Sequence, residues 1–484
     1  MKITINNSDT YATLVIPFFE SENLEQQLND ISKQINFEQK ALLSDFSAKV
    51  KKQVLGLTQS GEKVYFLGLG NGKNPGEVSK IFRSFFNANK EKLKLGASVI
   101  LHNESVQNIA RDISNGIFLA EYQIAKLKTG QKEIATIYNS DFTLNFQTEN
   151  SESISNAVAK GKAMAETQMK IMAWVDAPAN YKTPQMISSW IRESGSTNGF
   201  EVEVYTEKAC EEMGLKALLA VGRGSIDNPA EFVVMKYSHP NATKTVGLIG
   251  KGVTFDTGGV SLKPGDNMNY MKSDMGGAAA VCGTIELAAK LKLKVNIVAA
   301  VPLTENCIDG KAIKPGDVIG SYLGKTIEVI NTDAEGRLIL ADALAYVKKN
   351  HHPDILVDLA TLTGNCIQSL GYAAAALLSN NDELAESLSK SGFATGEKVW
   401  RMPLWDDYKD MMKSDVADIK NLSSAPLAGA ITAAKFLEEF IDGHTAWAHL
   451  DIAGVAFGDS EYGSMKSFTG YGVKLLTNWL ENIG

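Results

Sequence analysis

The chain contains little of what marks several classes of protein. It has four cysteines among 484 residues and no CxxC pair, so neither a zinc ribbon nor a redox dithiol is indicated. No dense basic run occurs, and 48 Lys+Arg against 56 Asp+Glu give a net charge of -8, which disfavours nucleic acid as a partner. No window approaches the ~18 apolar residues of a membrane span. The opening MKITINNSDT does not resemble a signal peptide, so we expect a cytoplasmic protein.

The sequence also lacks the common short catalytic signatures. No HExxH or GxSxG motif occurs, and none of the six histidines shows metal-ligand spacing. His449 lies inside an apolar run, as is typical of a core histidine with a satisfied hydrogen bond. Gly68, Gly70 and Gly72 follow an apolar run, but the third glycine of a dinucleotide GxGxxG motif would fall at Lys73, so we interpret them as a tight turn.

Alternating strand and helix patterns run along most of the chain. Hydrophobic residues make up 44% and charged residues 21%, as in a globular protein. We predict an α/β fold in which a smaller N-terminal α/β domain, residues 1–155, joins a larger C-terminal domain, residues 156–484, through a helix over 154–174. The larger domain is expected to be an α/β/α arrangement with helices on both faces of a mixed central sheet.

The individual elements are predicted from apolar periodicity and flanking turn residues. In the first domain these are strands at 63–69, 94–101 and 132–138 and helices at 77–89 and 106–128. In the second domain the strands are EVEVYT (201–206), EFVVMKYS (231–238), TVGLIG (245–250), KVNIVAAV (294–301), TIEVIN (326–331), ILVDLAT (355–361) and TAWAHLDIAG (445–454), with helices at 276–291 and 337–349.

Charged residues follow the predicted strand TVGLIG. Lys251 stands between two glycines, Asp256 precedes another glycine pair, and Lys263 and Asp274 lie in the same segment. A buried Lys or Asp must be paired or must coordinate an ion, and glycines let a ligand or ion approach the backbone closely. For each residue taken alone, an ordinary solvated lysine or a turn aspartate is the alternative.

Three charged residues alternate after the predicted strand TIEVIN. In an extended stretch Asp333, Glu335 and Arg337 project to one side, so two carboxylates and a guanidinium would converge. The alternative is that both acids complement the dipole of the following helix, which accounts poorly for the arginine. With Asp256 and Asp274, the two acids form the hard-donor set expected for a two-metal site holding Zn²⁺, Mn²⁺ or Mg²⁺.

At these residues the sequence resembles the leucyl (cytosol) aminopeptidase family of two-metal exopeptidases. NTDAEGRL at 331–338 matches the signature of that family, and KGVTFDTGG, SLKP, MKSDMGGAA, DLATLTG and HLDIAG are similar to its other blocks in the same order. The resemblance runs from about residue 176 to the end, whereas the first domain is similar only in size and α/β character. It implies removal of the N-terminal residue (Leu, Met and others) from peptides with a free N-terminus.

The resemblance implies how the metal ions are held. One ion would be bound by Asp256, Asp333 and Glu335, with the main-chain carbonyl of Asp333 as a further ligand. The second would be bound by Lys251, Asp256, Asp274 and Glu335, which requires a neutral Lys251 amine. Two divalent ions per chain are expected, Mn²⁺ or Zn²⁺, with Mg²⁺ as an alternative.

The resemblance also implies the catalytic side chains. Lys263 would polarise the substrate carbonyl, and Arg337 would hold a bicarbonate that acts as proton shuttle. A hydroxide bridging the metals would attack the first peptide carbonyl while the α-amine of the substrate binds one of the ions. The family is typically a homohexamer, so a homo-oligomer is implied for this chain.

Two departures from the commoner family pattern concern the first specificity pocket. Asn365 follows TLTG, where a small apolar residue is frequent, and Ala456 follows HLDIAGV, where a methionine can occur. With Met271 they are expected to line a wider, less purely apolar pocket that accepts Leu and Met and tolerates polar or larger residues. The alternative is that Asn365 bonds only to neighbouring backbone.

Two other functions could use the same features. A two-metal phosphoesterase needs a similar carboxylate cluster, but the lysines and the complete octapeptide fit a peptidase better. A binding protein could keep the fold for a nucleotide or regulatory role, using the turn at Gly68 to Gly72. The seven key site positions are all intact, which argues against such a non-catalytic protein.

Overall fold

A computed structural model gives the fold, and it describes residues 1–7, 9, 11–44, 46–93, 96–124, 127–129, 136–138, 141–459 and 462–484. The chain forms two compact units, Met1–Glu166 and Thr167–Gly484. This division lies within one long helix, Ser151–Asp176. The predicted boundary after residue 155 lies in the same helix and stays a prediction. Among the described helices, none combines the length and apolarity needed to cross a membrane.

The first unit is built on a twisted sheet of mainly parallel strands. Its strands are β1 (Lys2–Ile5), β2 (Thr13–Phe18), β3 (Gln53–Leu57), β4 (Lys63–Gly68), β5 (Ala97–Ile100) and β6 (Thr143–Gln147). Among the described residues they form a six-stranded sheet in the order β1-β6-β5-β2-β4-β3. Only the edge strand β3 runs antiparallel to its neighbour within this set.

Helices cover both faces of this sheet. They are α1 (Leu24–Gln34), α2 (Gly76–Asn89), α3 (Glu104–Gln107), α4 (Ala110–Leu119) and α5 (Ser151–Asp176), with 3-10 helices at Lys40–Leu43 and Thr136–Tyr138. Val15 packs with Phe82 of α2 and Ile113 of α4 on one face. The next residue, Ile16, packs with Leu28 of α1 on the other face, as side-chain alternation in a strand requires.

The predicted elements of the first unit are confirmed in part. The strand at 63–69 is β4, the helix at 77–89 is α2, and the connecting helix is α5. The predicted helix over 106–128 is wrong in length: α4 ends early because the next N–H groups bond to carbonyls three residues back, as in Glu121 to Phe118. Residues 94–95, 125–126 and 132–135 of the predicted elements lie outside the described residues. The end of the predicted strand at 132–138 is instead a 3-10 helix.

The second unit contains a large mixed sheet and smaller ones. Its strands are β7 (Glu201–Tyr205), β8 (Glu231–Tyr237), β9 (Thr245–Gly250), β10 (Gly252–Asp256), β11 (Asn296–Asn306), β12 (Val318–Ile319), β13 (Ile327–Glu328), β14 (Ile355–Ala360), β15 (Ala375–Ser379), β16 (Val399–Arg401), β17 (Ile419–Lys420), β18 (Trp447–Asp451), β19 (Phe457–Asp459) and β20 (Ser467–Phe468). The large sheet has the order β16-β15-β18-β14-β9-β11-β8-β7, with β10 paired to β11. Strands β18, β14, β9 and β11 are parallel, so their carboxyl ends meet at one edge.

Helices pack on both faces of the large sheet. The helices of this unit are α6 (Pro184–Asn198), α7 (Glu207–Met213), α8 (Lys216–Gly222), α9 (Gly276–Leu291), α10 (Gly336–His351), α11 (Gly364–Leu370), α12 (Asp382–Thr395), α13 (Gly429–Glu438) and α14 (Val473–Ile483). Ile249 of β9 and Leu356 of β14 pack with Leu344 of α10 in one apolar cluster. Helix α9 contacts the same strands without joining that cluster, so it lies on the opposite face.

The predicted α/β/α arrangement with a mixed sheet is confirmed. Helices α9 and α10 match the predicted segments 276–291 and 337–349 to within two residues at either end. The predicted strand TIEVIN is wrong in length, because β13 ends at Glu328. Beyond it, the N–H groups of Ile330 and Asn331 bond to the side chain of Asn421 and not to a neighbouring strand.

Candidate metal centre

The predicted site residues come together beside the carboxyl ends of the parallel strands. Lys251 follows β9 and Asp256 ends β10, whereas Asp274 precedes α9. Asp333 and Glu335 lie in the loop that leads into α10. Ligand atoms of Asp256, Asp333 and Glu335 all lie within 4.8 Å of one another. The predicted convergence of carboxylates is present, but it does not come from an extended stretch, because Glu335 has helical backbone angles (φ -80°, ψ -35°) and Arg337 lies within α10.

Lys251 bridges two of the acids. Its Nζ lies 2.7 Å from Asp274 Oδ2 and 2.9 Å from Glu335 Oε1, and it donates to the carbonyl of Thr361 at 3.1 Å. All three charged side chains are at most about one-tenth exposed. The expectation that Lys251 is buried and paired is thus met, with carboxylates as the partners in this structure.

Lys263 bridges the other two acids. Its Nζ lies 2.9 Å from Asp256 Oδ2 and also forms an ion pair with Asp333 Oδ1. The Asp333 side chain is 33% exposed and that of Lys263 is 22% exposed, whereas Asp256 is buried. This half of the cluster is therefore the half that solvent reaches.

Glycines near the cluster allow close contacts within the protein. A Cβ on Gly336 would lie 2.5 Å from Lys251 Cε, and one on Gly258 would lie 2.7 Å from Asp333 Oδ1. Gly258 also has φ +87°, a conformation that favours glycine. Gly250 and Gly252, which flank Lys251, face the backbone of Gly277 and Pro302. These two glycines therefore serve close packing of strands and helix, and not a bound ligand as the sequence indicated.

The electrostatics of the cluster depend on burial and on like charge. Burial, followed by repulsion from Asp256, raises the pKa of Glu335, and burial raises the pKa of Asp274. For Lys251, burial acts to lower the pKa, but the charges of Asp274, Glu335 and Asp256 outweigh it and raise the pKa above its ordinary value. Four carboxylates thus face only two ammonium groups, and further positive charge would stabilise the cluster.

The donor set fits divalent metal ions. Carboxylate oxygens and an amine nitrogen are ligands for Zn²⁺ and Mn²⁺. Glu335 is 1% exposed, yet its Oε2 has no hydrogen-bond partner among the described residues. A buried carboxylate oxygen without a partner is costly, and a cation bound at this atom would supply the missing partner. Glu335 is also the N-cap residue of α10, where a carboxylate complements the helix dipole as in the alternative interpretation, but its side chain makes no cap hydrogen bond.

Arg337 lies in the first turn of α10, beside the carboxylates. It is buried, and its Nη1 donates to the main-chain carbonyl of Asn421 at 2.8 Å. Its Nε has no partner among the described residues. Burial lowers the pKa of Arg337 to about 10 against the opposing charges of Glu335 and Asp451. The guanidinium therefore stays cationic near neutral pH, with a donor free for an anion.

Two residues that support the cluster were missed from the sequence. Asn306 at the end of β11 donates from Nδ2 to Asp256 Oδ1 at 2.9 Å and to the carbonyl of Thr332 at 3.0 Å. Thr361 donates from Oγ1 to Asp274 Oδ1 at 2.7 Å. Their only sequence signal is a position just after, or at the end of, an apolar strand.

The residues expected in the specificity pocket are placed as follows. Met271 lies in the 3-10 helix Met268–Ser273 that precedes Asp274, and Ala456 is fully buried before β19. Rings of their neighbours, Tyr270 and Phe457, are in contact with centroids 5.3 Å apart.

The amide of Asn365 is engaged within the protein. Its Oδ1 accepts from Ala430 N at 3.2 Å and its Nδ2 donates to Gln368 Oε1 at 3.3 Å. The alternative interpretation, in which Asn365 bonds only to neighbouring backbone, fits the bond from Ala430 N but not the bond to the Gln368 side chain. The pocket assignment of Asn365 stays a prediction.

His449 is a core residue, as predicted. It is fully buried, and its Nδ1 lies 2.6 Å from Asp358 Oδ1 on the adjacent strand. The other ring nitrogen has no hydrogen-bond partner among the described residues.

In the first unit, Gly70 and Gly72 have φ of +75° and +71°, consistent with the predicted tight turn.

The α/β fold and the carboxylate cluster together indicate a metal-dependent hydrolase. Residues 170–477 match the family model described as the cytosol aminopeptidase family, catalytic domain. The chain therefore belongs to this family of metallo-aminopeptidases. A "Probable cytosol aminopeptidase" of Chlorobium phaeobacteroides is 42% identical over 490 residues, which cover 97% of this chain and 96% of that relative.

Solved structures give the same result. A mutant of tomato leucine aminopeptidase superposes with a TM-score of 0.88 at 30% sequence identity. The match covers 100% of this chain and 96% of the tomato chain. The bottromycin maturation enzyme BotP, solved in complex with Mn, gives a TM-score of 0.83 at 31% identity, covering 98% of this chain and 99% of its own. The predicted family is therefore confirmed by comparisons that span both units of the chain.

Proposed function

We propose that this metallo-aminopeptidase removes an N-terminal residue, Leu, Met and others, from peptides at a two-metal centre. The observation that carries the proposal is the approach of Asp256, Asp333 and Glu335 to within 4.8 Å, with the two lysines beside them. Like charges at this separation need cations. When bound, two divalent ions would supply an activated water and a Lewis acid for the scissile carbonyl.

The ligand sets proposed are those that the family resemblance implies. Asp256, Asp333 and Glu335 would hold one ion, with the main-chain carbonyl of Asp333. Lys251, Asp274, Asp256 and Glu335 would hold the other. Lys251 Nζ already lies within 3 Å of both Asp274 and Glu335, which supports its placement in the second set. To act as a ligand, the Lys251 ammonium must lose its proton, which cationic charge in the cluster favours.

Lys263 is proposed to act on the substrate. It is the more exposed of the two lysines, at 22% against 4%, and it lies at the solvent-facing half of the cluster. An ammonium there can donate a hydrogen bond to the oxygen that gains negative charge as the carbonyl is attacked. Its ion pairs with Asp256 and Asp333 hold it in place before substrate binds.

Arg337 is proposed to hold a bicarbonate that acts as proton shuttle. The guanidinium is buried, remains cationic near neutral pH and has an Nε donor without a partner among the described residues. An anion that accepts this hydrogen bond would remove an otherwise unsatisfied donor. The carboxylates proposed as metal ligands are then not required as general bases.

The setting and partners of the enzyme are also proposals. Peptides with a free N-terminus are the expected substrates, and Met271, Asn365 and Ala456 are proposed to line the first specificity pocket. A homohexamer in the cytoplasm is expected from the family resemblance. The native pair of ions is proposed to be Mn²⁺ or Zn²⁺, and the Mn-bound BotP structure supports Mn²⁺.

The test is release of an amine from an aminoacyl reporter by the full chain with added Mn²⁺ or Zn²⁺. Asp333→Ala should abolish release, whereas Asp354→Ala should not, because Asp354 is an exposed acid that accepts from Thr245 N at the opposite end of β9 from Lys251. Hydrolysis of a phosphodiester reporter in place of the aminoacyl one would favour the phosphoesterase alternative and overturn the proposal.

A further inference from the structure

Asn421 is a fully buried asparagine that contacts the candidate site from a distant part of the sequence. It follows the short strand β17, which pairs in parallel with β13, and its N–H donates to the carbonyl of Glu328 at 2.9 Å. The pairing of β13 with β17 therefore places Asn421 directly beside the loop that carries Asp333. Nothing in the local sequence NLSS distinguishes this asparagine from a loop residue.

Every hydrogen-bonding position of the Asn421 side chain is occupied by the backbone of this loop. Its Nδ2 donates to the carbonyls of Asn331 at 2.7 Å and Ala334 at 3.2 Å. Its Oδ1 accepts from the N–H groups of Ile330 at 2.7 Å and Asn331 at 3.4 Å. An amide has two donor hydrogens and two acceptor positions, so the side chain cannot rotate without breaking the set. The loop backbone on both sides of Asp333 is thereby fixed.

The main chain of Asn421 serves the second half of the site. Its carbonyl accepts from Arg337 Nη1 at 2.8 Å. Because the side chain anchors the residue, this carbonyl is a fixed point toward which the guanidinium is aimed. Arg337 is 4% exposed, and its Nε remains without a partner among the described residues, so its orientation decides where that donor points.

We propose that Asn421 is a positioning residue for peptide hydrolysis, which fixes the loop bearing Asp333 and aims Arg337. The inference rests on the proposed function. Asn421 acts through other residues, because both donors and both acceptor positions of its amide are occupied by the loop backbone. Its five side-chain and carbonyl bonds end on the segment from Ile330 to Arg337, which supplies two metal ligands and the anion-binding arginine.

The experiment compares Asn421→Ala with Asn421→Asp and with Asn115→Ala. The Asp variant keeps the shape and the acceptor half, but it loses both donors and turns an oxygen toward two carbonyls. Asn115 is an equally buried asparagine that accepts from Ser79 within the first unit, so its loss removes a buried amide while every residue of the site is kept. Turnover is measured at saturating Mn²⁺, and Mn²⁺ binding is titrated separately.

The expected losses are specific to Asn421. Both of its variants should lower kcat at saturating Mn²⁺, and should weaken Mn²⁺ binding, by about 10- to 100-fold. Their KM should change less than about twofold, since the residue does not touch substrate. Asn115→Ala should retain wild-type kcat and Mn²⁺ affinity even where its melting temperature falls. If Asn421→Ala fails to fold, the same values are required of Asn421→Asp.

A double-mutant cycle tests whether Asn421 affects kcat by orienting Arg337 or only by stabilising the surrounding structure. If Asn421 acts through Arg337, Asn421→Ala should lower kcat by less than about twofold further in an Arg337→Ala background at saturating Mn²⁺. Fully additive losses in kcat, or wild-type kcat and Mn²⁺ affinity in the single Asn421 variants, would overturn the inference. A wild-type protein that releases no amino acid from any aminoacyl reporter would instead overturn the proposed function.

Discussion

Glu335→Ala tests the metal centre at a residue that, like Asp256, belongs to both proposed ligand sets. Glu335 Oε1 lies 2.9 Å from Lys251 Nζ, and its Oε2 has no partner among the described residues. Removing this carboxylate should empty both metal positions and abolish turnover. If the ions together supply about 4 kcal/mol of transition-state stabilisation, the loss is at least ~10³-fold in rate.

Glu335→Ala should change the free energy of unfolding by different amounts in the presence and in the absence of metal. Mn²⁺ that binds only the native protein adds about 2.7 kcal/mol to the free energy of unfolding at 100 times Kd. Glu335→Ala should lose this increment. Without metal, burial and repulsion from Asp256 already raise the pKa of Glu335, so its removal relieves a cost, and Lys251 keeps Asp274 as a partner. We therefore expect a change within about 1 kcal/mol in the metal-free state.

Glu286→Ala is the matched control. Glu286 is buried to the same degree in the same unit, and it pairs with Lys170 at 2.8 Å and Lys290 at 2.7 Å away from the cluster. Its loss should lower the free energy of unfolding by about 2 kcal/mol with and without Mn²⁺, while two ions and turnover remain. The measurements are elemental analysis, steady-state kinetics and urea denaturation. Two metal ions per chain and near-normal turnover in Glu335→Ala would refute the shared-ligand assignment.

Three further predictions concern other groups. Lys263→Ala should lower kcat by about 10² to 10³ while two metal ions remain, as measured by kinetics beside elemental analysis. Burial raises the pKa of Asp342 from 3.8 to about 7, so the folded protein holds a proton that the unfolded chain releases, and stability contributed by this group falls as pH rises from 4 to 7. Urea denaturation of Asp342→Asn should lack that part of the pH dependence. Asn365→Ala should lower kcat/KM for Gln and Asn substrates about tenfold relative to Leu if its amide faces the pocket.

Each of these predictions has a clear contrary result. Loss of metal from Lys263→Ala would make that lysine a ligand. An unchanged pH dependence in Asp342→Asn would mean that its three backbone donors, the N–H groups of Ala217, Leu218 and Tyr322, keep the carboxylate ionised in the native state. An unchanged substrate ranking in Asn365→Ala would restrict that side chain to its bonds with Ala430 and Gln368.

The site residues that could be predicted carry charge in a place where charge is costly. Lys251 follows an apolar strand, and Asp333 and Glu335 alternate with Arg337 before an apolar helix. Such positions are visible in sequence because burial of an ionised group demands a partner. The glycines beside Lys251 carried less information, since close packing and ligand approach require the same absence of a side chain.

The supporting residues could not be predicted, because they are neutral and lie far away in the chain. Asn306, Thr361 and Asn421 bond mainly to backbone atoms or to single carboxylate oxygens. An asparagine after a strand is also common in ordinary turns, so composition does not separate the two cases. The pairing of β13 with β17 brings Asn421 to the cluster, that of β10 with β11 brings Asn306, and that of β14 with β9 brings Thr361.

The two lysines explain how such a cluster can form at all. Four carboxylates that meet beside the strand ends would repel one another during folding, but each ammonium bridges two of them: Lys251 joins Asp274 and Glu335, and Lys263 joins Asp256 and Asp333. The cluster thus carries a net negative charge while its geometry is already set. In the proposed two-metal enzyme, the ions would displace these contacts, and the lysines that stabilise the metal-free fold would then take up different roles.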